Sequence, residues 1–140
     1  MYNRGVIMVE RMLGIVSRRA DTRLSGPKLS VVIRSKERSH DAEVVNISSR
    51  GLRFKSETLH EIGEKLWFDL KSTDEKHPLS LSIKGKIVND YVSSDDNQCS
   101  YGVKFNRFRY MNEIEQLHTY VYTIKKEFLP PQLKYGKMPE

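Results

Sequence analysis

Two short constellations hold the residues best suited to gripping an anion. Arg19-Ala-Asp-Thr-Arg23 sets two guanidinium groups four apart, with Arg18 immediately before them, on an irregular segment ahead of the first strand-like stretch. A guanidinium is a planar fork of N–H donors, so two of them can close on a phosphate or on the O6/N7 edge of a guanine, which a lysine cannot do in the same way. The second constellation is Asn46-Ile47-Ser48-Ser49-Arg50-Gly51. On a strand, Asn46 and Ser48 share the outward face while Ile47 enters the core. An amide and a hydroxyl then line up beside a turn where Gly51 is expected to take a positive φ and let backbone approach a ligand. Each pattern alone has an ordinary explanation. The same arginine spacing recurs at Arg34 and Arg38 inside a charged turn that reads as solvated surface, and an Asn/Ser/Gly-rich stretch suits any hairpin.

The elements that must position these residues follow from periodicity. Leu29, Val31 and Ile33 alternate with Ser30, Val32 and Arg34; Val45 and Ile47 are expected to face one way and Val44, Asn46 and Ser48 the other. Leu52 and Phe54 continue after Gly51 as in a hairpin, Leu66, Phe68 and Leu70 form a fourth run, and Leu79 to Val88 form a long fifth one in which Gly85 is expected to mark a bulge or bend. Tyr101, Val103 and Phe105 close the series. Six short strands favour a barrel or sandwich. From Met111 the period changes, and Ile114, Leu117, Val121, Ile124 and Phe128 share one face of a helix that Asn112 is expected to cap and Pro130 and Pro131 to stop. Residues 1–17 read as an N-terminal arm and 129–140 as a flexible tail.

Composition bounds the rest. The chain has 140 residues, 38% hydrophobic and 30% charged, which suits one folded domain. No apolar block is long enough for a signal peptide or a membrane span, so a cytoplasmic location without membrane insertion is expected. Cys99 is the single cysteine, which excludes an internal disulfide. His40, His60, His77 and His118 are scattered without metal-ligand spacing, so neither a metal, a cofactor nor enzymatic activity is expected. The formal charge of +6 and the pI near 9.4 imply an anionic partner of unspecified kind. One candidate is single-stranded nucleic acid, with Trp67, Tyr91 or Tyr101 stacking on bases. These aromatics do not fall on one evident strand face, and a nucleic-acid partner is therefore not the first expectation.

The order of the two constellations, arginines first, then a strand, then the polar strand and its glycine, resembles the PilZ family. That family is described by RxxxR followed by D/NxSxxG, and Arg19, Arg23, Asn46, Ser48 and Gly51 stand in those places. The likeness continues through the Gly63 turn before LWFDL, the strand LSIKGKIV, the strand YGVKF and the terminal helix, over about residues 18–128. The resemblance implies a mainly β fold, a six-stranded antiparallel β-barrel with a C-terminal amphipathic α-helix. It implies cyclic di-GMP as ligand, bound by Arg18, Arg19, Arg23, Asn46, Ser48 and Gly51, and an unidentified effector protein as the downstream partner. An arginine directly before the motif, here Arg18, accompanies a stacked ligand dimer in such proteins; a solvated surface arginine is the other reading. A docking module of the same fold that has lost the nucleotide is a further alternative.

Overall fold

Alternation of apolar and polar side chains builds the architecture. The computed structural model describes residues 23–92 and 98–128; the expected arm, Arg18, Arg19, Pro130, Pro131 and the tail lie outside the described residues. The elements are β1 (Leu24–Ser25), β2 (Leu29–Arg34), β3 (Ser39–Ile47), β4 (Gly51–Ser56), β5 (Lys65–Ser72), β6 (Ser80–Val92), β7 (Cys99–Phe105) and α1 (Met111–Glu127). The strands run in the order β1-β3-β2-β5-β6-β7-β4, and β3 also pairs with β4. That last pairing closes a six-stranded antiparallel barrel, with β1 as an extra strand. Inside it lie Val31, Ile33, Phe54, Leu66, Phe68, Ile83, Tyr101 and Val103, the positions that a period of two places on one face.

Three local expectations are corrected. Val44, not Val45, turns inward with Ile47, because a bulge between Val44 and Asn46 leaves Val45 without a partner on β4 and shifts the alternation by one. The irregularity in β6 falls between Ile87 and Asn89, where Val88 is the extra residue, and not at Gly85. Gly85 instead faces inward, where a Cβ would lie 2.4 Å from the Val103 side chain and 3.2 Å from Phe68. On α1 the N-cap position belongs to Tyr110, which makes no side-chain cap bond, so Asn112 is not the cap. The helix buries Leu117, Tyr120 and Val121, with Ile114 and Ile124 packed beside them, while Phe128 sits at the C-cap and is 79% exposed. Among the described residues no helix is long and apolar enough to cross a membrane.

β1 explains how the segment ahead of the barrel is held. Leu24 and Ser25 pair with Ile47 and Asn46, and Ser30 resumes the same edge opposite Glu43. Four residues, 26–29, therefore face two, 44 and 45. Gly26 absorbs the excess with a φ of +58° while its N–H still reaches the Val45 carbonyl at 2.9 Å. β1 and β2 are thus one interrupted edge of β3, and Arg23 lies at its start.

Near the β4 end of the barrel, a buried imidazole carries a pH dependence. The His60 side chain is 4% exposed. It packs edge-on against Phe54 and Tyr101, and its backbone N–H donates to the Tyr101 hydroxyl at 2.9 Å. Burial pushes the Tyr101 phenol up to about 12. His60 Nδ1–H donates to Glu64 at 3.2 Å, and its Nε2 lies 3.1 Å from His40 Nε2. Burial lowers the His60 pKa, with His40 and Arg38 adding to that and Glu64 opposing it. The unfolded chain, with an ordinary histidine near 6.5, then binds protons more readily than the folded one. Stability is full above that value and is lost as pH falls from it toward the lowered pKa. The melting temperature should drop as pH falls through the ordinary histidine value of about 6.5, and His60→Gln should flatten the drop; an equal drop in the variant refutes this assignment.

Candidate ligand-binding site

The barrel places one arginine of the first constellation against the second. Arg23 Nη1 donates to Asn46 Oδ1 at 2.5 Å, across 23 residues of chain. The β1–β3 pairing makes this possible by setting Ser25 opposite Asn46. The bulge at Val45 makes it useful, since it turns Asn46 to the outer face while Ile47 remains fully buried. An amide that accepts through its oxygen has both N–H bonds of its nitrogen left to offer outward.

Ser48 and Gly51 have a different placement from the expected one. Ser48 is 2% exposed and does not stand on the outer strand face. It faces Gly51 across the two-residue connection Ser49–Arg50, its N–H reaching the Gly51 carbonyl at 2.9 Å, and its hydroxyl accepts from Arg50 N–H at 3.1 Å. Gly51 is not among the residues with positive φ. It is needed because β7 passes so close that a Cβ there would lie 1.9 Å from the Val103 carbonyl oxygen. Serine and glycine therefore shape the turn that carries Asn46 to its position.

The outer face continues past these residues in a row that the sequence analysis missed. Asn46 pairs with Arg53 on β4, Arg53 with Gly102 on β7, and Gly102 with Asn89 on β6. The Arg53 guanidinium donates to Ser100 Oγ at 2.6 Å and to Asn89 Oδ1. Gly102 leaves room for this, since a Cβ would fall 2.5 Å from the Asn89 amide. The result is a polar strip, Arg23–Asn46–Arg53–Asn89, with two guanidinium groups about an amide. The signal was present in the outward position of Arg53, but its alignment with Asn89 requires the register of strands far apart in sequence.

Arg34, from the second copy of the arginine spacing, behaves differently. It makes a two-pronged pair with Asp69, Nε–Oδ2 2.6 Å and Nη2–Oδ1 2.9 Å, and Ser82 also donates to Asp69 at 2.5 Å. This bonding holds the Asp69 carboxyl below its ordinary range. Among the described residues no group of three or more His, Cys, Asp or Glu side chains could hold a metal ion.

Comparison with known proteins bears on the fold. No curated protein matches the chain. Among solved structures, the fold is similar to the inhibitor of motility MotI/DgrA of Bacillus subtilis (TM-score 0.66, 16% identity, 81% of this chain and 54% of that one). It is similar to MrkH of K. pneumonia, solved as a c-di-GMP complex (0.62, 16%, 81% and 55%), and to YcgR of Escherichia coli, also solved with c-di-GMP (0.60, 10%, 75% and 45%). The chain thus spans about half the length of these three proteins. The family model described as PilZ domain matches residues 17–123, a span that contains both constellations and the whole barrel, and the chain belongs to the PilZ domain family.

Proposed function

We propose that this chain is a receptor for cyclic di-GMP that passes its occupancy to a partner protein. The observation that carries the reading is the Arg23–Asn46 contact, which sets the last arginine of the first constellation on the polar edge of β3. Cyclic di-GMP offers two phosphodiesters and two guanines. The Arg23 and Arg53 forks and the outward Asn46 amide supply charged donors and base-edge donors in one strip. MrkH and YcgR, which share the fold, were solved with this nucleotide. Arg19 lies four residues before Arg23 and Arg18 directly before that. In this reading both close over the ligand, and Arg18 favours a stacked pair of nucleotides. Closing that segment against β1 creates a new surface, which is how a receptor without a catalytic step would signal to an effector in the cytoplasm.

Calorimetric titration with cyclic di-GMP tests this. Heat saturating at two nucleotides per chain is expected, with an affinity near micromolar, about 8 kcal/mol. Arg34→Ala should leave the curve unchanged, because that guanidinium is engaged by Asp69. Folded protein that gives no heat at several hundred micromolar, roughly the limit for a useful receptor, would falsify the reading and leave a docking module. Saturation at one nucleotide per chain would remove only the stacked pair.

A further inference from the structure

Beside the polar strip, the outer face of β5, β6 and β7 carries an arrangement that folding alone does not favour. Lys65 stands opposite Lys86, and Lys86 opposite Lys104. All three are exposed, adjacent strands are about 4.8 Å apart, and among the described residues none of the three is ion-paired with a carboxylate. Like charges directly opposite one another destabilise a sheet, so three abreast weaken the barrel unless an anion lies against them.

The row forms one side of a cavity of about 950 Å³. Its other walls add four cations: Lys84, Arg50 from the β3–β4 turn, and Arg107 and Arg109 from the segment leading to α1. No Asp or Glu lines it. Aromatic rings are interleaved with this charge. Trp67 is fixed edge-on by Tyr110 at 5.8 Å, with the Arg34 and Lys84 cations over its ring at 5.6 and 5.9 Å. Phe108 lies between Arg107 and Arg109 and is 81% exposed, and the Arg107 guanidinium is 5.6 Å from its centroid. The Asn106 carboxamide oxygen accepts from the Phe108 and Arg109 N–H groups at 3.1 and 3.2 Å, so a formed turn presents the exposed ring.

We propose that this groove binds single-stranded nucleic acid, with phosphates along Lys65, Lys86 and Lys104 and an unstacked base on Phe108. A concave cationic track with an aromatic platform is the combination that single strands require. A duplex hides its base faces from Phe108, and an acidic peptide accounts for the lysines without the ring.

The test is fluorescence anisotropy of the full chain with labelled oligothymidylate and oligouridylate of about 12 nucleotides. Binding should weaken with salt, and combining Lys65→Ala, Lys86→Ala and Lys104→Ala should reduce the slope of log K against log salt by about 2. Phe108→Ala should weaken binding about tenfold without changing that slope. Lys86→Gln should raise the urea midpoint while weakening binding, so that lost affinity is separated from lost folding. Arg23→Ala should leave oligonucleotide binding intact, which separates this groove from the cyclic di-GMP site. An unaltered salt slope in the triple variant overturns the proposal. So does displacement by polyglutamate at equal charge together with indifference to Phe108→Ala, which would assign the groove to an acidic protein.

Discussion

Gly51→Ala is expected to cost the barrel about 3 kcal/mol or more, seen as a fall of about 2 M in the urea midpoint. The added methyl would sit 1.9 Å from the Val103 carbonyl oxygen and 3.3 Å from the Lys104 Cα. These are backbone atoms of the partner strand, so no rotamer change relieves the clash. β4 and β7 would have to separate where Gly51 pairs with Lys104 and Leu52 with Val103. That is the seam next to the β3–β4 pairing that closes the barrel, and native stabilities of about 5–15 kcal/mol leave little margin for opening it. Gly26→Ala is the comparison. Nothing lies within 4 Å of a Cβ there, and only its φ of +58° opposes a side chain, which costs about 1 kcal/mol. If Gly51→Ala proves as mild as Gly26→Ala, close strand approach is not the reason for glycine at the end of the motif.

The two glycines also mark what could be read from sequence. The inward sets Leu66/Phe68/Leu70 and Tyr101/Val103/Phe105 are buried as alternation requires, because that signal is local to each strand. The Arg23 and Asn46 positions were likewise legible from residue type and order. Register between distant strands was not, since it depends on bulges that shift pairing by one residue without a distinctive residue type. For this reason unbroken alternation points Val45 to the face that Val44 holds. The alignment of Arg53 with Asn89, and of three lysines abreast, depends on the same inter-strand register. Gly51 has the sequence signature of a turn residue, because positive φ is the common reason for glycine beside a hairpin. Its actual neighbour, Val103, is 52 positions along the chain, where no local pattern points. A two-residue strand such as β1 carries no periodicity at all, yet it is the element that brings Arg23 to Asn46.

Arg23→Ala should reduce cyclic di-GMP affinity tenfold to a hundredfold, the range spanned by losing one charged hydrogen bond of about 1.5–3 kcal/mol. Part of that loss should pass through Asn46. While Arg23 donates to Oδ1 at 2.5 Å, the amide is held with its nitrogen outward, the orientation in which it can donate to guanine O6 or N7. Without Arg23 the amide is free to flip, and the ligand then pays for reorienting it. Asn46→Ala should therefore cost about tenfold alone, but less when Arg23 is already alanine, with a coupling of about 1 kcal/mol in the double-mutant cycle. Arg23→Lys should recover only part of the affinity, because an ammonium cannot hold Asn46 and meet a phosphate in one plane as a fork does. The four titrations separate the possibilities. Strict additivity would mean that Arg23 and Asn46 meet the nucleotide independently and that their contact in the free protein does not orient the amide. Unchanged affinity in Arg23→Ala would remove Arg23 from the site.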